Sequence, residues 1–129
     1  MKEGSIIQVR AKRVPFLKHY AVVVGSENDA QYVLHNTPFQ GATVDLLEDF
    51  QSSRGQPVSV HETELTELDT AGLISRFRAC DRPYRLFSFN CEHFIDCMRE
   101  KPQTSPQLQL SLFLILLISM LLFLSMILR

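Results

Sequence analysis

Several things are missing from this chain, and each absence narrows the reading. There is no tryptophan, no low-complexity tract and no internal repeat, which excludes a repeat array. There is no excess of cationic charge: 13 Lys and Arg stand against 14 Asp and Glu, for a net charge of −1. Nucleic acid is therefore not expected as the main partner, because it is usually met by a basic surface. Cysteine is scarce. Cys80, Cys91 and Cys97 are an odd number with no C-x-x-C pair, so a disulfide framework is not expected and a reducing compartment fits better. The amino-terminal residues Met1-Lys2-Glu3-Gly4 lead into a short β-like segment and not into an apolar leader core, so no signal peptide is expected. The 129 residues allow one small domain at most.

What is present is concentrated in two places. The first is the carboxy-terminal run from Leu110 to Leu128, which carries no charge and is broken only by Ser111, Ser119 and Ser125. As a helix it is about 28 Å long at 1.5 Å per residue, close to the roughly 30 Å hydrocarbon core of a bilayer. It reads as a transmembrane anchor over 110–128, a tail anchor joined by a linker over 102–109 to a domain over 1–101. Nearly all Lys and Arg precede it, and the positive-inside rule then puts the domain on the cytosolic side of a membrane that the residues do not specify. The run is free of glycine and carries no GxxxG signal for helix dimerisation, and the sequence does not report oligomeric state.

The second is Phe89-Asn90-Cys91-Glu92-His93-Phe94. An aromatic run, 84–89, reads as a strand leading into Asn90. A short helical pattern follows, with Phe94, Ile95 and Met98 on one face. Asn90 is then an N-cap, and Cys91 lies in the first turn. A thiol there feels the positive end of the helix dipole and unpaired N–H groups; both favour thiolate, and the same N–H groups suit an oxyanion. The plain alternative is a small buried cysteine closing a strand-to-helix turn.

In chain order, 5–10 predicts a first strand, and Ala11–Lys18 a basic loop with Arg10, Lys12, Arg13 and Lys18 on or beside it. That loop is either simply solvated or a patch for anionic head groups. Tyr20–Gly25 is a continuous apolar run, so a strand covered on both faces, and it forms a hairpin with Gln31–His35. His19 stands just before the first of these and His35 at the end of the second. Residues 43–47 suggest another strand with an acidic, polar loop after it, and 56–61 a short edge strand. Asp69 or Thr70 caps a helix with an apolar stripe through Leu73, Ile74 and Phe77. His93, two residues from Cys91, points to another side of the helix and reads as structural.

One cysteine at a helix start and two histidines at strand edges are the parts of a Cys–His hydrolase or acyltransferase. The motif Asn90-Cys91-Glu92-His93-Phe94 resembles the signature of the lecithin:retinol acyltransferase-like family, which includes the small phospholipase A/acyltransferases. Gly4-Ser5-Ile6-Ile7 is similar to that family's opening motif, Lys18-His19-Tyr20-Ala21 to its first His box, and Tyr32-Val33-Leu34-His35 to its second. The resemblance covers roughly residues 4–100, and an apolar tail after such a domain also matches the phospholipase branch. It implies a circularly permuted papain-like α+β domain with an antiparallel sheet. It implies Cys91 as nucleophile, His19 as general base and acid, and His35 as the third member, with Asn90 and Arg10 in support. The chain departs from the family at Ser5, where many members have Asp. The 16 positions from His19 to His35 exceed the usual interval, which predicts an extended hairpin turn.

The expected activity is acyl transfer on glycerophospholipids through a Cys91 thioester, to water or to an amine or hydroxyl acceptor. It calls for no cofactor and no metal. Two alternatives share the residues. One is a membrane-tethered cysteine peptidase or amidase. The other is a non-enzymatic module that recruits partners or holds zinc through His19, His35 and Cys91.

Overall fold

A computed structural model describes residues 1–10, 17–28, 30–55 and 57–128. The chain is an α+β domain followed by one long apolar helix. Five strands, β1 (Ile6–Arg10), β2 (Lys18–Glu27), β3 (Ala30–Thr37), β4 (Gly41–Leu46) and β5 (Ser59–His61), form an antiparallel sheet in the order β4-β3-β2-β1-β5. The helices are α1 (Leu47–Arg54), α2 (Thr70–Ala79), α3 (Cys91–Met98) and α4 (Pro106–Ile127). Lys12 and Arg13 of the expected basic loop lie outside the described residues.

Alternation along the strands divides the interior in two. Ile6, Val22, Val24 and Leu34 point to one face, where they meet Leu73 of α2 and Phe94, Ile95 and Met98 of α3. Ile7, Val9, Ala21, Val23 and Val33 point to the other, where Phe50 of α1 covers them. This explains the unbroken apolar run of β2: both sets of its side chains are buried, as the run predicts. Pro57 precedes the short edge strand β5, whose Val60 pairs with Ile7 of β1.

The structure corrects several sequence expectations. The stretch after β4 is helix α1, not a loop. Its one buried side chain, Phe50, anchors it, and Glu48 and Asp49 in the first turn with Arg54 in the last complement the helix dipole. The run 84–89 is not a strand but a tight turn closed by an Arg85–Phe89 bridge, with Leu86 and Phe87 exposed. The long His19–His35 interval is taken up by the strands, which run to Glu27 and start again at Ala30 with a bulge between Val24 and Ser26; the turn is not extended. His19 and His35 accordingly lie within β2 and β3. The terminal helix begins at Pro106 and not at Leu110, because Ser105 caps it by accepting from the Leu108 N–H.

The largest correction concerns cysteine. Cys80, at the end of α2, is bonded to Cys97 of α3, with Cα atoms 5.9 Å apart. Counting along the chain sees a separation of 17 residues; the packing of α2 against α3 removes it. Disulfides are commonest in oxidising compartments, so cysteine usage no longer favours a reducing one. It leaves Cys91 as the free thiol. Denatured, unreduced protein is expected to take up one alkyl group, and three after reduction. Cys80→Ser is expected to cost about 3 kcal/mol in a denaturant melt, the loop-closure value for a ring of this size. Three alkyl groups without reduction would contradict the pairing.

Candidate active site

Asn90 fixes the start of α3. Its Oδ1 accepts from the N–H groups of Glu92 (3.0 Å) and His93 (3.2 Å). The His93 ring answers by accepting from the Asn90 N–H at 3.2 Å, completing a capping box. His93 is thereby a structural residue, buried beside the cap. Asn90 Nδ2 donates to the Leu86 carbonyl at 3.1 Å and to Ser105 Oγ at 2.9 Å, tying the 84–90 turn and the α4 cap to the same point. Two first-turn N–H groups are thus already engaged. The Cys91 N–H is not taken by Asn90 and bears on its own sulfur.

The Cys91 thiol is buried against the flank of β2. Val23 bonds to Ser5 on the β1 side, so the alternate residues Lys18 and Tyr20 direct their peptide groups toward β3. The β2–β3 pairing ends at Ala21 and His35, which leaves that flank open. Two groups fill it. The Gln107 side-chain amide accepts from the Lys18 N–H at 2.7 Å and donates to the Lys18 carbonyl at 3.1 Å, standing in for a strand. The Cys91 Sγ lies 3.8 Å from the same carbonyl, and the Tyr20 N–H also bears on it. The sulfur therefore sits between the peptide groups that bracket His19.

His19 projects to the Phe50 face, its ring 5.9 Å from the Phe50 centroid, while Tyr20 packs with the α3 side of the core. His19 Nε2 is 3.1 Å from His35 Nδ1, and His35 Nε2 is 2.8 Å from Asp45 Oδ2. A carboxylate only accepts, so His35 Nε2 carries a hydrogen and its Nδ1 is bare. His19 must then donate from Nε2, which leaves its Nδ1 as a lone pair. Asp45 thus sets the tautomer of both rings in turn. Among the described residues no hydrogen bond joins that Nδ1 to the sulfur; the thiol donates toward Lys18.

Burial decides the charge of the site. It pushes the Cys91 thiol up to about 11, helped by the Glu92 carboxylate, and the N–H groups of Tyr20, Cys91 and Glu92 offset only part of this. It holds His19 well below the ordinary histidine value, helped by Arg54 and by His35. His35 is lowered too, again chiefly by burial, with the Asp45 carboxylate opposing. The resting pair is a neutral thiol and a neutral imidazole. The sequence expectation of a dipole-stabilised thiolate fails because desolvation outweighs the helix start.

Cys91 opens onto a pocket of about 460 Å³. Leu17, Leu86 and Phe87 line it together with Leu108, Leu112 and Ile115 of α4. Arg10 ends β1, exposed, on the face of Lys18 and Tyr20, and no hydrogen bond or ion pair holds it among the described residues. Sequence reasoning missed Asp45, Arg54, Glu92 and Gln107. Asp45 was available in principle, as a lone acid in a strand next to a histidine strand; the other three depend on tertiary placement. No group of three or more metal-ligating side chains converges among the described residues.

Fold and site together define an α+β domain with a buried thiol at a helix start in contact with the peptide groups that flank His19, a hydrogen-bonded His19–His35–Asp45 chain on the Phe50 side of the sheet, and one helix long and apolar enough to cross a membrane. No family model, no curated protein and no solved structure matches the chain.

Alkylation of Cys91 in the folded protein by a small iodoacetamide is expected to rise steadily from pH 7 toward about pH 11, as the thiolate fraction grows. A plateau reached by neutral pH would mean a preformed ion pair and contradict the neutral site.

Proposed function

We propose that the protein is a thiol-dependent acyl transferase or phospholipase A acting on glycerophospholipids at a membrane, on a circularly permuted papain-like domain of the lecithin:retinol acyltransferase type. The observation that carries this reading is that the free thiol opens into an apolar pocket, one wall of which is the membrane-length helix. The apolar lining favours an acyl chain over a peptide, whose backbone would need polar partners. The NCEHF motif and the order His19, His35, Cys91 support the same reading.

The chemistry follows from the protonation states. On this reading the neutral thiol leaves the Lys18 carbonyl and meets His19 Nδ1 when the ester arrives, which requires the thiol or the ring to move. Such contacts often tighten only with substrate bound. The proton passes from sulfur to Nδ1 as the S–C bond forms, and the carbonyl oxygen takes the negative charge against the Cys91 N–H. The ester C–O bond then breaks, and His19 returns the proton to the lysolipid oxygen. Water or another acceptor gives its proton to His19, attacks the thioester, and releases the acyl group with the thiol restored. Asp45 and His35 hold the tautomer through both steps.

Anchoring by α4 supplies the membrane. The Lys and Arg distribution points to the cytosolic side and the Cys80–Cys97 bond to an oxidising one; the alkylation count given for that bond separates them.

Incubation with mixed phosphatidylcholine vesicles is expected to leave an acyl adduct on Cys91 by mass spectrometry and to release fatty acid, with both lost in Cys91→Ala. Fatty-acid release at the wild-type rate from Cys91→Ala would overturn the reading. Asp45→Ala is expected to slow turnover about tenfold or more, within the roughly 10²–10⁴ that a positioned base contributes. Alkylation of its Cys91 at pH 10 should stay as in wild type. Unchanged turnover would remove Asp45 from the relay.

A further inference from the structure

We propose that α4 is not only an anchor but the outer wall of the acyl pocket, so that the chain of a membrane lipid reaches Cys91 sideways from the leaflet, between α4 and the Leu86–Phe87 turn. This rests on the reading of Cys91 as the acyl-accepting thiol.

The pocket takes from α4 the residues Leu108, Ser111, Leu112 and Ile115. Their spacing is i, i+3, i+4, i+7, one stripe along two turns, so the helix presents a continuous face to the thiol. Leu86 and Phe87 line the same pocket and are themselves exposed, at 56% and 67% accessible.

The start of α4 is fixed to the site at several points. Glu92, the residue after the thiol, accepts from Ser105 Oγ and, at 3.2 Å, from the Gln107 N–H. Asp96, one turn along α3, accepts from the Thr104 N–H at 2.8 Å and its hydroxyl at 3.0 Å. Gln107 completes the β2 flank as described. The helix therefore leaves the domain in a set direction, from the rim of the pocket.

Length places that rim in the lipid. The 22 residues of α4 span about 33 Å at 1.5 Å per residue, against roughly 30 Å of hydrocarbon. Almost the whole helix is needed to cross. Residues 108–115 thus lie within the near leaflet and not above it, and the pocket wall they form is already among acyl chains. A lipid need not leave the membrane to present its ester to Cys91. The depth of the pocket along α4, ending at Ile115, sets which chain lengths fit.

The test uses the full chain in phosphatidylcholine vesicles carrying acyl chains of mixed length. Leu112→Trp and Ile115→Trp fill the pocket; Leu110→Trp, roughly half a turn round the helix, faces away. Two readouts are taken. The first is the chain-length distribution of the acyl adduct on Cys91. The second is the rate of Cys91 alkylation by N-dodecyl iodoacetamide relative to iodoacetamide, which needs the pocket but no catalysis. The expected result is a shift of adducts to shorter chains and a fall of at least about tenfold in the alkylation ratio for the two pocket variants, with Leu110→Trp like wild type. If the pocket variants keep both the wild-type adduct distribution and the wild-type ratio, α4 is no wall and the inference falls, while the acyl reading stands. If no protein forms an adduct but the ratio falls in the pocket variants alone, the wall stands and the acyl reading falls.

Discussion

Four hydrogen bonds on the Asn90 side chain hold the rest of the structure in relation. Two fasten the first turn of α3, one fastens the turn before it, and one fastens the cap of α4. A thiol at the next position is consequently held in one place relative to the sheet, the pocket mouth and the membrane-length helix. A cap of this kind typically contributes on the order of 1 kcal/mol to a helix. Here it also joins three segments that share no strand pairing and, through Ser105, reaches Glu92.

That placement governs the chemistry. The thiol is buried where β3 has separated from β2, in contact with peptide groups and near the Glu92 carboxylate. Desolvation therefore keeps it protonated, and burial likewise keeps the His19 and His35 imidazoles neutral. A neutral pair needs a defined tautomer more than it needs a strong base, since only one ring nitrogen can take the proton. Asp45 supplies that definition through His35, and Phe50 closes over both rings.

Much of this was legible in the residues. The strands of the hairpin, the Asp69 cap of α2 and the Asn90 cap of α3 follow from local pattern and capping chemistry, and the apolar terminal helix follows from composition. The unread parts depend on packing. Helix α1 has a single buried side chain, Phe50, and so no periodic stripe to announce it. The turn at 84–90 is rich in strand-forming residues, but Asn90 and Asn36 bond its Leu86 and Phe89 carbonyls and hold it as a turn. Cys80 and Cys97 meet only once α2 lies on α3. The thiolate expectation weighed the helix dipole, which is visible in sequence, without the burial, which is not. The role of Gln107 was hidden by reading its segment as linker, when it completes the sheet.

The central claim is that Asp45 and His35 leave His19 with a bare Nδ1 while the Cys91 thiol stays protonated. Nitrogen NMR of ¹⁵N-histidine-labelled protein in detergent micelles at pH 7 reads this directly. The account expects His19 and His35 both neutral, each with its proton on Nε2 and its Nδ1 unprotonated. A proton on His19 Nδ1, or a His19 imidazolium at that pH, would contradict it.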